Sequence, residues 1–208
     1  MNPVVTIPPA VEPVSLAEAK AHLRIDHADE DTLISDLIAG ARSYCENYTG
    51  RAFVAQTLAW SLSAWPGIRQ ARDSDIDYCR LFPDSPASYA EVPRGPLVSV
   101  SSITIYDDDD VASVWSADNY YVSTRTGRIY RRSGVAWPQP ARAADGIEIV
   151  YVAGFGSAAP DVPEPLRRAV MLMLAHLYEW RQPVADAPGA PLPMSVAELL
   201  APYRKRRV

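Results

Sequence analysis

The chain is short of the residues that most directly announce chemistry. It has two cysteines, Cys45 and Cys79, in 208 residues, too few for a disulfide framework. With no secretory signal read at its start, a reducing cytosol is the expected setting. Three histidines (His22, His27 and His176) and the two cysteines show neither C-x-x-C nor H-E-x-x-H spacing, so a structural or catalytic zinc site is not expected. Glycine is sparse at 10 residues. Gly154-x-Gly156 lacks the third glycine of a dinucleotide fingerprint, and neither a P-loop nor a G-x-S-x-G elbow occurs. Positive charge is in deficit: 20 Lys and Arg stand against 25 Asp and Glu, a net charge of −5, which argues against a general nucleic-acid binder. No apolar run is long enough and free enough of flanking charge to span a bilayer. No cofactor, metal or catalytic residue is assigned.

Proline is what the chain has in excess, at 19 residues. The prolines cluster in the first 13 residues, in 83–96, in 138–140 and in 160–193, and so mark arms and linkers between folded stretches. Residues 1–14 read as an extended arm. Ser15 with Glu18 fits a capping box at the head of a short helix. From Leu33 the spacing of Leu33, Ile34, Leu37, Ile38, Ala41, Tyr44, Cys45 and Tyr48 predicts an amphipathic helix that Gly50 ends. The stretch 162–181, VPEPLRRAVMLMLAHLYEWR, is apolar nearly all round and reads as a central core helix, its prolines tolerated in the first turn. Leu33, Leu37, Ile38 and Tyr44 are expected to pack on Leu166, Val170, Leu174 and Leu177.

Between these helices the period changes to two. Phe53–Leu62, Val98–Tyr106 with a bulge at Ser101–Ser102, Val111–Trp115, Tyr120–Val122, Arg128–Tyr130 and Ile147–Val152 read as antiparallel strands. Asp107, Asp108, Asp109 and Asp110 form a hairpin tip. A cation site there is disfavoured, because adjacent residues on a tight turn do not converge on one ion; an acidic loop facing passing DNA is the alternative to a solvated tip. The class is α+β: a helical core (15–52 and 154–182), an inserted β-module (53–153), an N-terminal arm (1–14) and a C-terminal arm (183–208). In that last arm, Met194, Val196, Leu199, Leu200 and Tyr203 are expected to be held away from the body by the proline-rich linker. The basic run Arg204, Lys205, Arg206 and Arg207 follows, and the whole reads as a docking arm for a partner.

Several of these segments, in this order, resemble one family. PVSLAEAKAHLRID (13–26), DEDTLISDLIAGARSYCENYTGRAFVAQT (29–57), PRGPLVSVSSITIYD (93–107), GRIY (127–130), VYVAGFG (150–156) and the 162–181 helix are similar to head–tail connector proteins of tailed phages. They match the β-inserted branch that also occurs in prophages and gene transfer agents. The resemblance covers about residues 13–182. It implies a structural, non-enzymatic subunit of a ring of twelve beneath the portal, joining capsid to tail and continuing the DNA channel. The implied partners are the portal protein, neighbouring copies, the next tail-side head-completion or stopper protein, and DNA that passes without specific binding. The implied location is the head–tail junction of a particle assembled in the bacterial cytoplasm. Two other classes are consistent with the composition: a small α+β enzyme or ligand-binding protein, and a DNA-binding packaging factor acting through the basic tail.

Overall fold

The computed structural model describes residues 3–65, 89–179 and 194–205. The apolar run at 78–82, the linker at 183–193, and Arg206 and Arg207 lie outside the described residues. The fold is mixed α+β, in two compact units. One comprises Met1–Pro8 and Gln56–Ala153, the other Pro9–Ala55 and Gly154–Val208.

The second unit is helical. Helix α1 (Leu16–Leu23) starts on the capping box: the Glu18 amide donates to Ser15 Oγ at 3.3 Å, and the Ser15 amide donates to Glu18 Oε2 at 2.8 Å. Two of the otherwise orphaned donors of a helix start are thereby satisfied. Those hydrogen bonds to Ser15, with Arg167 nearby, hold the Glu18 carboxyl below its ordinary range. Helix α2 (Asp31–Thr49) ends at Gly50, whose φ of 68° is left-handed and whose amide donates to the Glu46 carbonyl at 2.8 Å. Ile34, Ile38, Ala41 and Cys45 are fully buried, at steps of four, three and four. Leu37 lies on the shoulder of that stripe, packed against the core. Leu33 and Tyr44 do not join it: they are 38% and 43% exposed, because a step of one residue turns a side chain about 100° away from the stripe.

Helix α3 (Glu164–Glu179) starts two residues later than the stretch 162–181; Trp180 and Arg181 lie outside the described residues. It buries Leu166, Ala169, Val170, Met173 and Leu174 on one face, with Met171, Leu172, Leu177 and Tyr178 partly covered. Its apolar circumference is thus fully used on one side only. Helix α4 (Met194–Leu200) completes the unit.

The first unit is built of strands. A five-stranded antiparallel sheet has the order β1-β2-β8-β4-β5, from β1 (Val4–Ile7), β2 (Gln56–Leu62), β4 (Leu97–Tyr106), β5 (Ala112–Val114) and β8 (Ile147–Ala153). A smaller sheet, β3-β7-β6, joins β3 (Tyr89–Glu91), β7 (Arg128–Arg131) and β6 (Tyr120–Ser123). The period of two holds along β8, where Ile147, Ile149, Tyr151 and Ala153 are buried and alternate with partly exposed residues. The register of β4 on β8 shifts between Val100 and Ser102, which is the bulge read from the sequence. Trp65, Trp115 and Trp137 form a ring cluster with centroids 4.2 to 5.9 Å apart. Trp65 Nε1 donates to the Pro138 carbonyl at 2.7 Å, so the indole N–H is satisfied inside the cluster.

Strand β2 begins at Gln56, three residues later than expected. Phe53 and Val54 belong to the helical unit, where both are buried in its core. There Ala55 N donates to the Gly156 carbonyl at 2.8 Å and Phe155 N to the Phe53 carbonyl at 3.0 Å. Gly154 tolerates this close crossing because it has no side chain: a Cβ there would lie 2.4 Å from Ala55 N.

Candidate functional site

The C-terminal segment is placed differently from the sequence reading. Val196 and Leu200, four residues apart on α4, are both fully buried in the core of the helical unit, and Leu199 and Tyr203 pack partly against it. They are not held away from the body. A seven-residue helix with one apolar stripe gains more from burying that stripe on its own chain than from exposing it to water.

The segment beyond α4 is fastened to the end of α2. Lys205 N donates to the Thr49 carbonyl at 2.8 Å, satisfying one of the acceptors a helix end leaves open. Arg51 Nε donates to the Tyr203 carbonyl at 2.5 Å, and the Arg204 guanidinium lies 5.3 Å from the centre of the Tyr48 ring. Arg204 and Lys205 therefore sit at the negative end of the α2 dipole. Met194 alone of the expected apolar set is strongly exposed, at 79%.

The acidic tip joins β4 to β5, and all four aspartates are exposed. Asp107 Oδ1 accepts from the amides of Asp109 at 3.0 Å and Val111 at 2.8 Å, so one carboxylate shapes the turn. Asp110 pairs with Arg142 at 3.2 Å. Among the described residues no group of three or more His, Cys, Asp or Glu is placed to hold a metal ion.

The most deeply buried charges serve packing. Arg42 donates through Nε to Glu12 at 2.7 Å and through an Nη to Glu46 at 2.9 Å; Glu46, 2% exposed, also accepts from the Phe53 amide at 2.7 Å. Burial pulls the Arg42 guanidinium down, but the hydrogen bonds and charges of Glu12 and Glu46 outweigh it and carry the pKa above the ordinary value. Cys45 is buried, which pushes its thiol up to about 12 and leaves it without nucleophilic character. A groove of about 460 Å³ in the helical unit is lined by Val11, Val14, Leu16, Ile38 and short polar side chains. Its one carboxylate, Glu12, is committed to Arg42.

Two surface features escaped the sequence reading. Strand β1 lies at the edge of the large sheet with all four residues exposed, Val4 at 67% and Ile7 at 61%. On the small sheet, the register Tyr89↔Tyr130↔Tyr121 puts three tyrosines in one cross-strand row, with ring centroids 5.7 and 5.0 Å apart. The Arg128 guanidinium stands 4.0 Å over the Tyr89 ring. The signal was the pattern Tyr120-Tyr121 followed by four arginines in 125–132, but aligning the row needs the pairing register.

With this geometry in place, the chain can be set against known proteins. Residues 13–110 match the family model for the phage gp6-like head-tail connector protein. That is the family the sequence resembles. Connectors of this family are structural proteins, not enzymes. No curated protein matches the chain. Among solved structures, a chain in the virion of the native gene transfer agent particle aligns with a TM-score of 0.76 at 22% identity, covering 100% of this chain and 97% of that one. A chain in the neck of the empty particle, computed with C6 symmetry, aligns at 0.72 and 22% identity, covering 99% and 97%. One in the neck of the native particle, computed with C12 symmetry, aligns at 0.71 and 22% identity with the same coverage. These likenesses establish a shared fold along the chain. No helix among the described residues is long and apolar enough to cross a membrane.

Proposed function

We propose that this protein is a structural head–tail adaptor of a phage or gene-transfer-agent-like particle. Copies form a ring of twelve beneath the portal, join capsid to tail and continue the DNA channel. The observation that carries this reading is the connector match over 13–110 combined with a fold alignment over the whole chain to a chain of a gene transfer agent virion. The C12 symmetry of one such neck supports the ring size. The net charge of −5 suits a conduit, because a tight phosphate-binding surface would hold DNA instead of letting it pass. The subunit works at the head–tail junction after assembly in the bacterial cytoplasm, with the next tail-side completion protein below it.

Portal contact falls to the exposed part of the C-terminal segment: Met194 and the basic end that begins at Arg204 and Lys205. Val196 and Leu200 are withdrawn from that role by their burial. The test is to purify heads from cells lacking the protein and from cells carrying the wild type or a Met194→Asp, Arg204→Glu variant, and to image the necks. Heads without the protein should carry the portal but no adaptor ring and no tail. The double variant should be folded yet absent from necks. Tailed, DNA-retaining particles in the complete absence of the protein would overturn the adaptor reading.

A further inference from the structure

We propose that neighbouring copies are joined through the strand-built unit, the acidic β4–β5 tip of one copy seating on the tyrosine–arginine face of the next copy's small sheet. This rests on the ring reading above. A closed ring of identical subunits needs two different, mutually complementary patches on each chain, because its contacts are head-to-tail. Two such patches are present: the tip is exposed, and on the small sheet Tyr121, Arg125 and Arg132 are exposed while Tyr89, Arg128 and Tyr130 are half-buried.

The small sheet buries Ala90 and Ile129 on one side and keeps Tyr89, Tyr130 and Tyr121 on the other. Tyr121 is 48% exposed. Alternation along β7 places Arg128 on the tyrosine side; exposed Arg132 directly follows the strand, and exposed Arg125 lies in the β6–β7 turn. Glu91, across from Arg128, accepts from it at 3.3 Å and is the acidic group on this face among the described residues. From Asn119 to Ala144 the sequence holds five arginines and no acidic residue, in a chain whose net charge is −5. Tyrosine hydroxyls and guanidinium forks both donate to carboxylates, the latter in pairs.

The tip supplies the carboxylates. Asp107 is used in shaping the turn and Asp110 pairs with Arg142, whereas Asp108 and Asp109 are exposed and hold no ion pair among the described residues. A rigid turn presenting two acceptors to a stacked aromatic row with arginines at its edge is a contact of small ordering cost. On this assignment the tip faces a neighbouring subunit and not the DNA channel.

Charge reversal tests the pairing. Asp108→Lys with Asp109→Lys, and separately Arg125→Glu with Arg132→Glu, should each lower ring occupancy on portal-bearing heads about tenfold or more. All four changes in one chain restore opposite charges at every contact of the ring, so occupancy should return to near the wild-type level. Melting temperatures read alongside report folding. Where a reversal lowers them, Asp→Asn and Arg→Gln at the same positions replace it, with a smaller loss expected from each pair. Wild-type rings together with undiminished occupancy for both reversals would overturn this contact and leave the ring reading standing. Folded reversals that fail singly and also fail together would overturn it as well, pointing the face at DNA or the portal. Absence of rings for the wild type would sink both readings.

Discussion

Leu200→Ala is the substitution that most sharply separates the folded-back C-terminal segment from a free arm. Leu200 is fully buried and packs within the helical core together with Val196 and residues of α2 and α3. Removing three carbons there forfeits the transfer free energy of the two lost methyls and the methine and leaves a cavity. Together these cost about 2–5 kcal/mol for leucine in a close-packed core. For a chain of this size about 3 kcal/mol corresponds to a fall of about 6–12 °C in melting temperature. The measured loss has a ceiling, because α4 is a seven-residue terminal element that can undock before the rest unfolds. Urea melts followed by far-UV circular dichroism, with hydrogen exchange on α4 amides, would separate undocking from global unfolding. Met194→Ala, at a side chain 79% exposed, is the control and should change stability by less than about 0.5 kcal/mol. If Leu200→Ala proved as harmless as Met194→Ala, in melts and in exchange, α4 would be a free arm and its burial wrong.

Three other outcomes follow from the same core. Gly154→Ala puts a Cβ 2.4 Å from Ala55 N, where backbone has no room to yield, and should cost about 2 kcal/mol or more; a wild-type melting temperature would show that the crossing relaxes freely. Glu46→Ala strands the Phe53 amide and half of the Arg42 guanidinium in a buried site, for an expected loss of about 3 kcal/mol, whereas Glu12, at the outer side of the network, should matter less; equal losses at the two positions would refute this ranking. In a Cys79→Ser background, Cys45 should resist thiol reagents at neutral pH and label only on unfolding. Because its folded pKa of about 12 lies above the value near 8.5 of an unfolded cysteine, its contribution is intact below pH ~8.5 and is lost as pH rises toward 12; rapid labelling of folded protein at pH 7 would contradict its burial.

What the sequence disclosed depended on how local the determining interaction is. The α2 stripe at Ile34, Ile38, Ala41 and Cys45, the Gly50 stop, the Ser15–Glu18 box and the alternation of β8 are written within a few residues each and are seen, whereas Leu33 and Tyr44 fall off the stripe. The bulge near Ser101 was legible for the same reason. Strand β1 was not, because Val4 and Val5 take their partners from Ala59 and Leu58, more than fifty residues on, and nothing local distinguishes such a strand from a free extended arm. Phe53 and Val54 continue the alternation of β2 without interruption, so periodicity alone cannot tell that the helical core claims them. For α4, the Val196–Leu200 spacing announced a buried stripe but not its partner. The choice of a foreign surface over its own chain was an assumption. The tyrosine row depends on two strand registers, and no single stretch contains it.

The distribution of charge explains how one chain could be both a conduit and an assembly component. Eight of its 20 cationic residues lie in two short stretches without acids, 125–132 and 204–207, leaving twelve against 25 acidic residues elsewhere. A net charge of −5 therefore understates how acidic most of the chain is. At physiological ionic strength the Debye length is about 8 Å, so DNA threading a channel feels the local surface and not the average. On the ring reading, the two basic stretches are where attraction is needed: one toward the neighbouring copy, the other toward the portal. Engaging both in contacts would leave the acidic remainder to face solvent and DNA. Assembly should then weaken as salt is raised, while the affinity of the assembled ring for duplex DNA stays low throughout. A free subunit, with both stretches uncovered, should bind DNA more strongly than the ring does. That inversion separates a subunit whose arginines make contacts from one whose arginines hold DNA, and titrating the same duplex against free protein and isolated necks would reveal it.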